Sequence, residues 1–231
     1  MCGRFTLAKD ARELAAAFPQ LPPPPRLARR YNIAPAQPVC AWMAAPLPVW
    51  EIFTWGLIPH WAKKPPERGG FINARAETAA EKPAFRDALR RKRCVVPADG
   101  WYEWLRRDGR AVPYYFHRRD AAPFAFAGIW DEWHDTEGGM VPGLAILTTR
   151  PNALARRIHP RMPALLREED IDAWLHPETP PHDLPRMLEP VAADGFELLE
   201  VNPAVNRVDQ EGPHLLHPPP PGPVQGELSL W

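Results

Sequence analysis

Apolar residues recur at helical spacing from Leu7 to Phe18, with Leu7, Ala11, Leu14, Ala15 and Phe18 on one stripe, and predict an amphipathic helix. The run Pro22–Pro25 that follows cannot be helical and predicts a stiff loop. From Val49 to Trp61 the segment VWEIFTWGLIPHW starts rich in β-formers and is broken at Gly56 and Pro59, so it predicts a strand ending in a turn. KKPPERGG then has the composition of a mobile surface loop. A second helix is predicted over Pro83–Arg93, where Phe85 and Leu89 share an apolar face and Arg86, Arg90 and Arg93 a basic one. Short strands follow at Cys94–Val96, Trp101–Leu105, Pro113–His117, Phe124–Trp130 and Leu144–Thr148. Pro151 suits the first turn of a helix in PNALARRI, and REEDIDAWL, acidic at its start, predicts another. ELLEV (Glu197–Val201) reads as a late strand.

Strands clustered in sequence, with helices kept apart from them, predict an α+β fold: a mostly antiparallel sheet curled toward a barrel-like core, with peripheral helices. No repeat or linker divides the chain. Residues 1–216 are expected to form one domain and residues 217–231, a proline-rich segment, a disordered tail. With no apolar run of membrane-spanning length and no basic segment leading into an apolar one, neither a membrane span nor a secretory signal is expected, and the protein is placed in the cytosol, on the nucleoid if its source is bacterial. Cys2, Cys40 and Cys94 are odd in number and lack C-x-x-C spacing, which argues against disulfides and against a zinc site. The zero net charge conceals an asymmetry. Residues 1–110 carry 19 Lys and Arg against 10 Asp and Glu, and residues 111–231 carry 9 against 18, giving +9 and −9. A basic first half permits a phosphate-rich partner without requiring one.

Four polar residues stand at ends or turns of predicted elements: Cys2, Asn73 in FINARAET, Glu103 in DGWYEW and His159 in IHPRMP. Singly, each has a structural explanation: a packed N-terminal thiol, a turn-forming amide, a solvent-facing strand carboxylate and a helix cap. Together they are a thiol, an amide, a carboxylate and an imidazole, a complete set for covalent catalysis. Arg4, Arg75 and Arg161 each lie two positions from one of them, so in extended segments each faces the same side as its neighbour and can reach a phosphate. Trp55, Trp61 and Pro35 are candidates to stack on or wedge between bases.

The blocks MCGRF, YNIAPAQ, WGLIPHW, NARAET, RCVVPADGWYEW, FAGIWDEW, LTTRPN, IHPRMP and VN, in this order from Cys2 to about Asn202, resemble the SRAP family, the SOS-response-associated peptidase-like proteins that process abasic sites in DNA. Ala36 and Trp101 depart from residues expected in relatives, outside the reacting set. The resemblance implies that Met1 is removed, that Cys2 becomes the N-terminus and crosslinks to abasic sites in single-stranded DNA, and that Asn73, Glu103 and His159 are active-site positions. It also implies a peptidase-like self-processing activity, with lyase chemistry possible on the same site. No cofactor or metal is expected, the partner is single-stranded DNA containing abasic sites, no membrane is involved, and the default state is a monomer.

The residue types rebuild that chemistry. A free Cys2 presents an α-amine and a thiol on adjacent carbons, and an α-amine, with a pKa of about 7.7–8.0, is partly the free nucleophile near neutrality. It can form a Schiff base with the C1′ aldehyde of an abasic sugar, on which the thiol closes as a thiazolidine. Glu103 and His159 can move the protons. Two other readings use the same residues: a cysteine peptidase in which only the thiol matters, and a non-covalent module for single-stranded or modified-base DNA.

Overall fold

The computed structural model describes residues 2–45, 47–66 and 69–218. Thirteen strands carry the architecture: β1 (Phe5–Leu7), β2 (Arg30–Ile33), β3 (Pro38–Ala45), β4 (Leu47–Trp55), β5 (Asn73–Arg75), β6 (Arg93–Ala98), β7 (Gly100–Arg107), β8 (Arg110–Arg118), β9 (Phe124–His134), β10 (Met140–Thr149), β11 (Met162–Pro163), β12 (Leu165–Leu166) and β13 (Phe196–Glu200). Five short helices flank them: α1 (Ala11–Ala17), α2 (Ala76–Ala79), α3 (Arg86–Arg91), α4 (Ile171–Leu175) and α5 (Leu184–Met187). The fold is the α+β, barrel-like and mostly antiparallel one expected from the sequence.

One sheet runs β13-β8-β7-β1-β2, antiparallel throughout. In the other, β10, β4, β3, β6 and β9 pair in turn until β9 meets β10 again, closing a five-stranded barrel. Its seam is the parallel pair β4–β10, and β5 also lies parallel to β10. The hairpin β7–β8 turns on Asp108 and Gly109, both at positive φ (51° and 75°), the two-residue Asp-Gly turn whose twist matches that of paired strands. Aromatic rings join the sheets: Phe5 of β1 meets Trp55 edge-on at 5.1 Å and Phe126 at 5.7 Å, and Trp101 stacks on Phe116 at 4.7 Å while presenting its edge to Phe124.

Four local expectations are corrected. Leu7 belongs to β1, because Asp10 starts the helix three residues later: its carboxylate accepts from Arg12 N and Glu13 N, and Glu13 accepts in return from Asp10 N at 2.8 Å. The second helix begins only at Arg86, and Arg93, assigned to its basic face, is a buried residue of β6 whose guanidinium donates to the carbonyls of Leu89, Arg90, Trp174 and His176. PNALARRI yields one 3-10 turn, Ala155–Arg157, since the Asn152 side chain captures the Leu154 and Ala155 amides. REEDIDAWL splits into a 3-10 turn and α4. Of the expected surface loop, Glu67 and Arg68 lie outside the described residues, as does the expected tail from residue 219 onward.

Candidate active site

Antiparallel pairing of β1 with β7 brings the start of the chain to Glu103. Phe5 is opposite Trp101, Tyr102 N donates to Arg4 O at 3.0 Å, and the pairing direction carries Cys2 on toward Glu103 and Trp104. Cys2 is fully buried, and its carbonyl is held at 2.8 Å by the side-chain amide of Asn73. Asn73 opens β5 opposite Ile146 of β10, while its Oδ1 is buried and accepts no hydrogen bond. Burial pushes the Cys2 thiol far above its ordinary pKa, and the charge of Glu103 pushes it further.

Glu103 itself is 3% exposed, and burial raises its carboxyl to about 7. A carboxyl in that range both gives and takes protons near neutrality. His159 follows the 3-10 turn at Ala155–Arg157, and its Nδ1 lies 4.0 Å from Glu103 Oε1 and 3.1 Å from the Arg161 amide nitrogen. Desolvation lowers its pKa, so the imidazole is mainly neutral at pH 7. Four segments remote in sequence thus bring the expected thiol, amide, carboxylate and imidazole together: Asn73 bonds the Cys2 carbonyl, the Glu103 charge acts on the Cys2 thiol, and Glu103 lies 4.0 Å from His159.

The candidate DNA residues separate. Arg75 is exposed. Arg161 forks onto Glu77 at 2.6 and 2.8 Å and also donates to the Thr148 carbonyl, so its head is already engaged. Arg4 is an internal tie, donating at 2.7 Å to both Asn32 Oδ1 and Val205 O. Trp61 and Pro35 are exposed, Trp61 by 55%. Trp55 is corrected: it is fully enclosed, with its indole N–H on Ile72 O at 2.8 Å, and offers no face to a base. Sequence reasoning passed over Asn32, whose buried amide reaches Arg207 O and Gln210 O at 2.9 Å each and binds the late chain to β2, and Glu77, the partner of Arg161. Both lie in quoted blocks, YNIAPAQ and NARAET. Among the described residues no three His, Cys, Asp or Glu side chains cluster as a metal site, and no helix is long and apolar enough to cross a membrane.

This arrangement can be compared with known proteins. A family model described as SOS response associated peptidase (SRAP) matches residues 1–208. The chain belongs to the SRAP family. Among its relatives, the abasic site processing protein YoqW of Bacillus subtilis is 39% identical over 224 residues, covering 94% of this chain and 99% of that one. The abasic site processing protein YedK of Escherichia coli is 30% identical over 227 residues, covering 94% and 100%. A crystal structure of a protein from Bacteroides thetaiotaomicron superposes with a TM-score of 0.80 at 26% identity, covering 94% of this chain and 99% of that one. Family membership and fold agree over the same stretch of chain that holds the four site residues.

Proposed function

We propose that this SRAP protein processes abasic sites in single-stranded DNA by forming a covalent link through Cys2, shielding the lesion during repair. The family and the naming of its relatives support the abasic site as target. The observation that carries the covalent reading is the setting of Cys2: its carbonyl is held by Asn73, and its thiol feels the charge of a buried carboxyl raised to about 7.

Self-processing hydrolyses the Met1–Cys2 peptide bond with one water, releasing Met1 as the free amino acid and leaving the Cys2 amine. The amine attacks C1′ of the open-chain sugar, the C=O bond becomes C=N, and one water leaves. The thiol then adds to the imine carbon as its proton passes to nitrogen, giving the thiazolidine. Glu103, half-protonated near pH 7, is suited to protonate the departing oxygen, and neutral His159 to accept a proton beside it. Asn73 fixes the nucleophile without altering charge. A thiolate-first peptidase is served less well, since burial and the Glu103 carboxylate both disfavour the thiolate such a mechanism requires.

The test is a denaturing gel of purified protein with an abasic single-stranded oligonucleotide, paired with intact-mass measurement. A band of retarded DNA is expected, absent for Cys2→Ala and for a chain extended by one uncleavable residue. A peptidase would tolerate the extension, and a non-covalent module would give no band at all. Active protein still carrying Met1 would overturn the mechanism.

A further inference from the structure

Away from Cys2, a second group of charged side chains surrounds a cavity of about 390 Å³ formed by His60, Asp87, Arg90, Arg91, Lys92 and Asp131. Asp131 of β9 is 4% exposed and fully engaged. Its Oδ1 accepts from Lys92 Nζ at 2.7 Å and Glu132 N at 2.9 Å, and its Oδ2 accepts from His60 N at 2.8 Å and His60 Nδ1 at 2.9 Å. The second pair fixes the imidazole tautomer with its proton on Nδ1 and turns Nε2 away from the carboxylate. The His60 side chain is 52% exposed. Lys92 is steadied further by the Trp130 ring, whose centroid lies 5.0 Å away.

Arg90 and Arg91 are exposed at the mouth of this cavity. Their place at the end of α3 would suit a role in satisfying its last carbonyls, but those of Ala88, Leu89 and Arg90 are taken. Nη1 of buried Arg93 donates to Leu89 O at 2.9 Å and Arg90 O at 2.8 Å, and Lys92 N donates to Ala88 O at 2.7 Å. Among the described residues no carboxylate lies in ion-pair reach of either arginine, and the nearby Asp87 is paired with Arg86 at 3.7 Å. Two free guanidinium forks thus flank a concave site with a pre-positioned ammonium, a donor set matched to phosphate oxygens.

We propose that this cavity binds backbone phosphates of the DNA strand beyond the lesion, with Arg90 and Arg91 as anchors and Asp131 holding His60 and Lys92 in place. The proposal rests on the DNA-binding reading above and extends it from the sugar to the flanking strand. Along β10, Asn73 is anchored opposite Ile146 and Asp131 opposite Gly143. β5 and β9 lie on the two sides of β10, so the two residues stand roughly 14 Å apart, three residues along the strand and two strand spacings across it. Trp61, next to His60 in the chain, is 55% exposed, so a base can meet it.

The test uses undamaged single-stranded DNA, so it does not depend on covalent chemistry. Fluorescence anisotropy is measured with a 5-nucleotide and a 20-nucleotide oligonucleotide for the parent protein, Arg90→Ala/Arg91→Ala, and Arg91→Glu, at several salt concentrations. Both altered residues are exposed, and circular dichroism verifies the fold of each variant. The 20-mer is expected to lose about tenfold in affinity relative to the 5-mer in the double variant, and the slope of log K against log salt to become shallower by about 1.4, two contacts at 0.7 each for a single strand. Equal losses on both lengths, or none, would overturn the proposal. A separate arm titrates inorganic phosphate while following the His60 ring protons by NMR: displacement of bound phosphate by the 20-mer supports the assignment. Phosphate binding that the 20-mer does not displace assigns the site to a free anion and overturns it. A parent protein that forms no adduct with abasic DNA, yet shows the length-dependent loss, would refute the covalent reading and uphold this one.

Discussion

Glu103 shows at the scale of one residue how stability and chemistry compete. Its folded carboxyl is raised by burial from 4.5 to about 7. The stabilisation that follows is complete below about pH 4.5 and is lost as pH rises through 7, where ionising the buried group costs roughly 3 kcal/mol. Glu103→Gln removes that titration. Its melting temperature is therefore expected to fall less than the parent's between about pH 5 and pH 7, and its rate of adduct formation to drop by about 10²-fold or more. Scanning calorimetry across that range, with a gel time course, checks both. The arginines divide in the same way. Arg4→Ala strands Asn32 Oδ1 and leaves Val205 O only the 3.4 Å bond from the Asn32 amide, and should cost about 1–3 kcal/mol in urea unfolding, whereas Arg75→Ala should leave stability within about 0.5 kcal/mol and weaken DNA binding. The sequence placed all three arginines beside the site through their i, i+2 spacing, but spacing gives a direction and never a partner. Asn32 and Glu77, which decide whether Arg4 and Arg161 are free, lie 28 and 84 residues away in sequence.

At the scale of elements, the strands from β6 to β10 were legible because each is rich in β-formers and bounded by turn residues. The barrel seam was not. Its parallel pairing of β4 with β10 joins Thr54 and Trp55 to Gly143 and Leu144, and no local pattern announces a partner some ninety positions away. The two-residue strands β11 and β12 exist only because β10 and β9 offer free edges, and Leu7 satisfies a helical stripe while its backbone pairs with β2. The seam depends on a missing side chain. A Cβ on Gly143 would stand 2.5 Å from Gly56 O and 3.2 Å from Leu57 Cα, both backbone atoms that cannot swing aside. Gly143→Ala is accordingly expected to wedge β4 from β10 and cost about 1–3 kcal/mol, seen as a lower urea midpoint with an unchanged m-value.

For the whole molecule, the +9 and −9 halves of the chain do not become two faces, because the fold interleaves them. Arg30 pairs with Glu211, Arg107 with Glu200 and Lys92 with Asp131, each a cation of the first half meeting an anion of the second. The field available to DNA comes from what these pairings leave over. Near the site and the second cavity, Arg75, Arg90, Arg91, Arg156 and Arg157 are exposed, and among the described residues none has a carboxylate in ion-pair reach. Five phosphate contacts on a single strand imply a slope of log K against log salt of about −3.5, a loss of roughly a hundredfold in affinity between 50 and 200 mM. If Arg4 and Arg161 abandoned their internal partners to bind phosphate as well, the slope would steepen to about −5. Titration of Cys2→Ser, which cannot form the thiazolidine, with an undamaged 20-nucleotide strand separates these cases. The shallower value is expected, because Arg161 would have to leave two charge-assisted bonds to Glu77 and Arg4 would leave Asn32 Oδ1 unpaired.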